Sequence, residues 1–188
     1  MPIRQNIANN DGTYFIIFTC TNWLPLFEIA NAYDSVYNWF NVLKIDGHHI
    51  IGYVIMPNHL HAIISFKNIE KSINSMVSNG KRFIAYEIVK KLEQQKNTII
   101  LQQLSKARNA SEINANKKHK VFKTSFDWKC CDSDIFVEQK LQYIHSNPCK
   151  GKWSLANSSI DYLHCSAKYY LTGQQGIYEV KNYKALAD

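Results

Sequence analysis

The chain has 188 residues, 46% of them hydrophobic, with only 7 glycines and 4 prolines, which suits one globular domain and excludes a collagen-like or wholly disordered chain. No uncharged apolar run of about 18 residues occurs, and the opening MPIRQNIANNDG lacks the apolar centre of a secretory signal, so an intracellular protein is expected. The formal net charge of +7 and an aromatic content of 13% suit a nucleic-acid partner, with cations on phosphates and rings on bases.

In chain order, TYFIIFTCT (13–21) is aromatic and β-branched and reads as a strand. NAYDSVYNWFNVLKI (31–45) places Tyr33, Val36, Tyr37, Phe40 and Leu43 near helical spacing, and Gly47 marks its end. HHIIGYVIM (48–56) and HLHAIISF (59–66) read as strands joined through Pro57 and Asn58 into a hairpin. A long helix is expected from near Asn68 past Leu92, with Ile69, Ile73, Met76, Val77, Phe83, Ile84 and Ile88 on its apolar side. Residues 94–118 are polar and suggest a fraying helix end followed by a mobile basic loop. KVFKTSFDWK (120–129) is a candidate fourth strand. DIFVEQKLQYIHSN (134–147) reads as a helix with Asp134 as N-cap and Pro148 as stop. From Lys150 onward the chain reads as an irregular, tyrosine-rich tail.

This order predicts an α+β fold, a ferredoxin-like antiparallel four-stranded sheet (β-α-β-β-α-β) with helices on one face. The additional C-terminal helix, carrying Tyr143, must then cover the open face. Residues 1–150 are expected to form the domain and 151–188 a tail packed on it. The cysteines number five, an odd count without a C-x-x-C pair, and all five read as free thiols.

Two stretches carry chemistry. On a strand, alternate side chains share a face, so His59, His61, Ile63 and Ser65 point one way and Leu60, Ala62, Ile64 and Phe66 the other. The second set is wholly apolar and should meet the helices, leaving two imidazoles side by side on the opposite face. Such a pair is often structural, bonded to backbone or water. It can also converge on one divalent ion, provided that a third ligand is supplied. On a helix, i and i+4 share a face, so Gln139, Tyr143 and Asn147 form one polar line, while Phe136, Val137, Leu141 and Ile144 anchor the helix. By themselves Tyr143 and Asn147 read as a packing residue and a helix C-cap. Combined with the histidines they read differently. An un-ionised phenol attacks a phosphodiester poorly, and a metal that polarises the phosphate makes the attack feasible.

MPNHLH followed by YIHSNP resembles the REP-associated tyrosine transposases, which belong to the single-tyrosine HUH transposases, U being a bulky apolar residue, here Leu60. YFIIFTCTNWLPLFE, VFKTSFD and the tail DYLHCSAKYYLTGQQGIYEV are similar to further segments of that family, so the resemblance covers most of the chain. It implies a bacterial, cytoplasmic single-stranded DNA endonuclease and strand transferase that recognises hairpin DNA and depends on Mg²⁺ or Mn²⁺. His59 and His61 match the family's metal-binding histidines. Tyr143 matches the nucleophile that forms a 5′-phosphotyrosine link, and Asn147 falls where related enzymes place an amide-type ligand. His145, within the motif, reads as structural or DNA-contacting. Cys149 departs from the valine common after the NP pair. Lys81, Arg82, Lys117, Lys118 and Lys120 are candidates for hairpin phosphates, and Trp128 and Trp153 for stacking exposed bases. Such proteins occur as monomers and as homodimers. Competing readings are a domesticated, non-mobile hairpin-binding protein, a strand-nicking replication initiator, and a ferredoxin-like structural protein whose histidines bind nothing.

Overall fold

The computed structural model describes residues 11–67, 72–151 and 153–186. Four antiparallel strands, β1 (Gly12–Thr19), β2 (His49–Met56), β3 (His59–Phe66) and β4 (Asp127–Cys130), form one sheet in the order β2-β3-β1-β4. A short helix, α1 (Leu26–Ile29), precedes α2 (Tyr33–Ile45); α3 (Ile73–Gln94), α4 (Thr98–Lys106) and α5 (Ala110–Asn114) fill the β3–β4 connection; α6 (Asp134–Ser146) and α7 (Ala167–Thr172) follow β4. No described helix is long and apolar enough to cross a membrane.

Strand alternation divides the core into two layers. Tyr14, Ile16 and Phe18 of β1 and Leu60, Ala62, Ile64 and Phe66 of β3 pack with Val36, Phe40 and Leu43 of α2 and Val77, Ile84 and Ile88 of α3. The opposite face carries Phe15 and Ile63, on which Val137, Leu141 and Ile144 of α6 pack. The face assignment expected for β3 therefore holds, and α6 covers the sheet's second face.

A register shift between Ile50 and Gly52 brings α6 close. Beside this register shift a Cβ on Gly52 would lie 2.5 Å from Leu141 Cδ2 and 3.2 Å from Ile144 Cδ1, so a larger residue would have to push these side-chain ends of α6 aside. In the other layer Gly80 of α3 plays the same part against the Trp39 indole.

Several local expectations are corrected. Residues 94–118 are two capped helices, not a frayed end and a mobile loop. Asn97 accepts from Ile100 N, Asn109 and Glu112 form a reciprocal capping box, and Leu104 is buried in the core. Arg108 ties the segment together, donating to Ser105 O (2.7 Å) and Lys117 O (2.8 Å). The fourth strand begins only at Asp127; before it, Phe122 makes an isolated bridge to Cys20. Ser133, not Asp134, caps α6, accepting from Phe136 N. Phe83 points outward and is 65% exposed, because its position falls off the buried stripe of α3. The described part of α3 starts at Ile73, and residues 68–71, including Ile69, lie outside the described residues.

The tail is ordered by β2, whose outer edge would otherwise present unpaired backbone groups. Ile55 N donates to His164 O, and Ser166 N to Tyr53 O. The hydroxyls of Tyr162 and Tyr170 donate to Ile55 O (2.8 Å) and Ile51 O (2.9 Å), and Tyr178 enters the core, stacking on Tyr37.

Candidate active site

β3 and α6 bring the two sequence motifs together. The rings of His59 and His61 are 4.7 Å apart between centroids, nearly perpendicular, and the Tyr143 ring lies 5.3 Å from that of His61. Phe15, on the neighbouring strand, stacks on His61 at 5.6 Å and meets Tyr143 edge-on at 6.0 Å. Its position follows from register, since β1 pairs Ile17 with His61 and Phe15 with Ile63. Tyr143 is half exposed, so its phenol is reachable from solvent while its ring edge is held.

Each imidazole is kept neutral. Burial is the main cause for both, lowering His59 to about 4 and His61 to about 3, and the His59 and Lys140 charges push His61 further down. A neutral imidazole has one nitrogen lone pair to offer. The His59 ring is oriented by Asn58, whose Oδ1 lies 2.6 Å from Nδ1; an amide oxygen only accepts, so Nδ1 carries the proton and the Nε2 lone pair is left over. Asn147, one turn after Tyr143, lies beside His59, where its amide favours the protonated ring against the larger effect of burial, and it donates its Nδ2 to Tyr143 O at 3.0 Å. His61 Nδ1 is buried without a hydrogen-bond partner. Among the described residues no cluster of three or more His, Cys, Asp and Glu side chains could hold a metal. The donors gathered here are therefore two imidazoles and an amide, a set that fits a divalent ion keeping open positions.

Three neighbours carried no sequence signal. Lys140, three residues before Tyr143, holds its ammonium 5.9 Å from the Tyr143 ring, 5.2 Å from Phe15 and 4.8 Å from Phe136, and among the described residues it forms no ion pair. Asn58 read only as a turn residue. Trp23 meets His59 edge-on at 6.2 Å. Beside His59 opens a cleft of about 450 Å³ walled by Trp23, Met56 and Trp153, with Lys150 at its rim.

Of the remaining predicted residues, Trp153 lines the cleft beside His59 and the five cations gather at a separate groove. Lys81 is buried, donating from Nζ to Lys123 O (2.9 Å), Ser125 O (3.0 Å) and Thr124 O (3.5 Å). Its ammonium is thus engaged by backbone carbonyls, within the groove where a phosphate contact was expected. Lys117 and Lys120 both pair with Glu112, at 2.9 and 3.1 Å. Arg82 and Lys118 are exposed and make no ion pair among the described residues. All five line or adjoin a groove of about 770 Å³ between α3 and residues 112–124, and Lys123 shares it. Trp128 packs edge-on against Tyr14 at 5.9 Å and is part of the core's margin, away from the imidazoles. His145 is buried and pairs with Ser166 Oγ at 3.0 Å, which makes it structural.

One solved structure, a REP-associated tyrosine transposase bound to a REP hairpin, superposes with a TM-score of 0.62 at 16% identity, covering 97% of this chain and 93% of that one. The fold is that of a REP-associated tyrosine transposase. A candidate transposase from Deinococcus radiodurans is also similar, with a TM-score of 0.43 at 14% identity over 78% of this chain and 97% of that one. No family model matches the sequence, and no curated protein matches it.

Proposed function

We propose that this chain is a transposase of the single-tyrosine HUH class, cleaving single-stranded DNA beside a hairpin through a covalent 5′-phosphotyrosine. The observation that carries this reading is the convergence of Tyr143 on the His59–His61 pair across two elements more than eighty residues apart in sequence. The fold shared with a hairpin-bound transposase supports it.

His59, His61 and Asn147 would hold a divalent ion such as Mg²⁺ or Mn²⁺, which when bound supplies a Lewis acid for a phosphate oxygen. Tyr143 Oη attacks phosphorus; the new P–O bond forms as the bond to O3′ breaks, the phenolic proton passes to solvent, and the leaving O3′ takes a proton from solvent to become a free 3′-hydroxyl. A second 3′-hydroxyl then attacks the phosphotyrosine, losing its proton to solvent; the P–O bond to Tyr143 breaks, the phenol regains a proton, and a phosphodiester is restored with no external energy source. Lys140 lies where its positive charge offsets the negative charge that gathers on the phosphate. Phe15, stacked on His61, keeps that ring facing the phenol. In the groove between α3 and residues 112–124, Arg82 and Lys118 are the cations best placed for the phosphates of a hairpin stem.

The test is incubation with single-stranded DNA carrying the hairpins that flank the gene, plus Mn²⁺. A protein–DNA adduct resistant to denaturation should form, disappear with Tyr143→Phe, and be lost with His59→Ala or His61→Ala while hairpin affinity is kept. Hairpin binding without an adduct at any Mn²⁺ or Mg²⁺ concentration would instead identify a domesticated binding protein.

A further inference from the structure

We propose that the cleft between Trp23 and Trp153 is a nucleobase subsite, taking one unpaired base of the strand beside the phosphate presented to Tyr143. The inference rests on the nucleic-acid reading above but not on cleavage itself.

Hydrophobic burial would ordinarily draw an indole into the core, yet Trp23 is held 52% exposed. The chain holds it there by three means. Asn22 and Trp23 are consecutive non-glycine residues in the left-handed region, with φ of 50° and 57°, an uncommon conformation for bulky side chains and one that concentrates at functional sites. Asn58 Nδ2 donates to Trp23 O at 3.3 Å, so the residue that orients His59 also fixes the backbone beneath the indole. Lys123 Nζ stands 4.3 Å from the ring centroid, a cation–π contact that steadies the indole from one side.

The cleft has the volume of a small-ligand site. Trp23, Met56 and Trp153 give it an apolar side that suits stacking on a flat ring, while Asn58, His59 and Asn147 line the side that joins it to the imidazoles. Its surroundings are cationic. Lys150 stands at the rim, and Lys123 joins the cleft to the basic groove, since it both covers Trp23 and lines that groove. A base seated between the indoles would thus have its phosphates within a positive field leading from the groove to His59. An uncharged aromatic ligand would have no use for those cations, and for this reason a strand is the occupant the chemistry favours.

The experiment uses single-stranded oligonucleotides containing the flanking hairpin, with 2-aminopurine at each unpaired position in turn, bound in EDTA so that no cleavage occurs. One position should be quenched on binding, the quenching lost in Trp23→Ala and kept in Trp23→Phe. An abasic residue at that position should weaken binding by about 10-fold, and Trp23→Ala should add little to that loss. Because Trp23 is half exposed, its removal leaves the core intact, which an unchanged melting temperature verifies. Quenching at no position, or quenching unaffected by Trp23→Ala, overturns the subsite even if the covalent adduct forms. Quenching that tracks Trp23 without any adduct keeps the subsite and removes the nuclease.

Discussion

Lys81 and its neighbour Arg82 distinguish a cation engaged by the fold from one that the proposed function gives to DNA. Its ammonium makes two short bonds to carbonyls, at 2.9 and 3.0 Å, and a longer one at 3.5 Å. Charge-assisted bonds of this kind contribute about 1.5–3 kcal/mol each. In Lys81→Met the thioether recovers part of this through apolar contact but leaves the carbonyls of residues 123–125 without a donor, for a net loss of about 3 kcal/mol. In a chain of this size that lowers the melting temperature by about 6–12 °C. Arg82, the adjacent exposed cation, should behave in the opposite way. Arg82→Ser should leave the melting temperature nearly unchanged and reduce the slope of log affinity against log salt by about 0.9, the share of one phosphate contact on a duplex stem. The assays are thermal unfolding and hairpin-binding titrations between 50 and about 200 mM salt. A Lys81→Met protein that melts like the wild type but loses salt slope would refute the buried-clamp reasoning and make Lys81 a phosphate ligand.

All seven histidines are held below their ordinary range, mainly by burial, with His59 and His145 at about 4 and His61 at about 3. The unfolded chain therefore takes up protons near pH 6.5 that the folded chain refuses; stability should be full above that pH and fall as the pH drops through 6 towards 4. The melting temperature of metal-free protein, measured from pH 7.5 to 5, checks this, and a flat profile would contradict it. Lys140→Met should slow adduct formation by about 10-fold or more while hairpin affinity holds, with Lys140→Arg restoring most of the rate; equal rates for Met and wild type would leave Lys140 no electrostatic part. Gly80→Ala should destabilise by about 1–3 kcal/mol in denaturant unfolding despite alanine's better helix propensity, because the added methyl collides with the Trp39 indole.

Strand alternation, helical spacing and the turn at Pro57 and Asn58 were enough to place both motifs, because side-chain periodicity and secondary-structure period are the same geometry. The hairpin, the face carrying His59 and His61 and the stripe Val137, Leu141 and Ile144 follow from that alone. The polar stretch 94–118 did not yield to the same reasoning. Its helices are short and only Leu104 is buried, so they depend on caps rather than on an apolar face. The N-A-S-E capping box at Asn109–Glu112 was the available signal. Lys81, on the same helix as Arg82, is indistinguishable from it by composition; only the chain returning as residues 123–125 supplies the carbonyls that bury it.

By itself, then, the sequence determined which residues share a face and which chemistry they carry: two imidazoles on one side of β3, a phenol and an amide on one side of α6. That those two sides should face each other was expected from the topology, but only the tertiary structure decided how closely they meet, with α6 packed against Gly52 beside the register shift of β2. It also decided that Lys140, Asn58 and Trp23 surround the meeting point. Periodicity is local and can be read along the chain, whereas convergence depends on contacts between residues far apart in sequence, and these exist only once the core has packed.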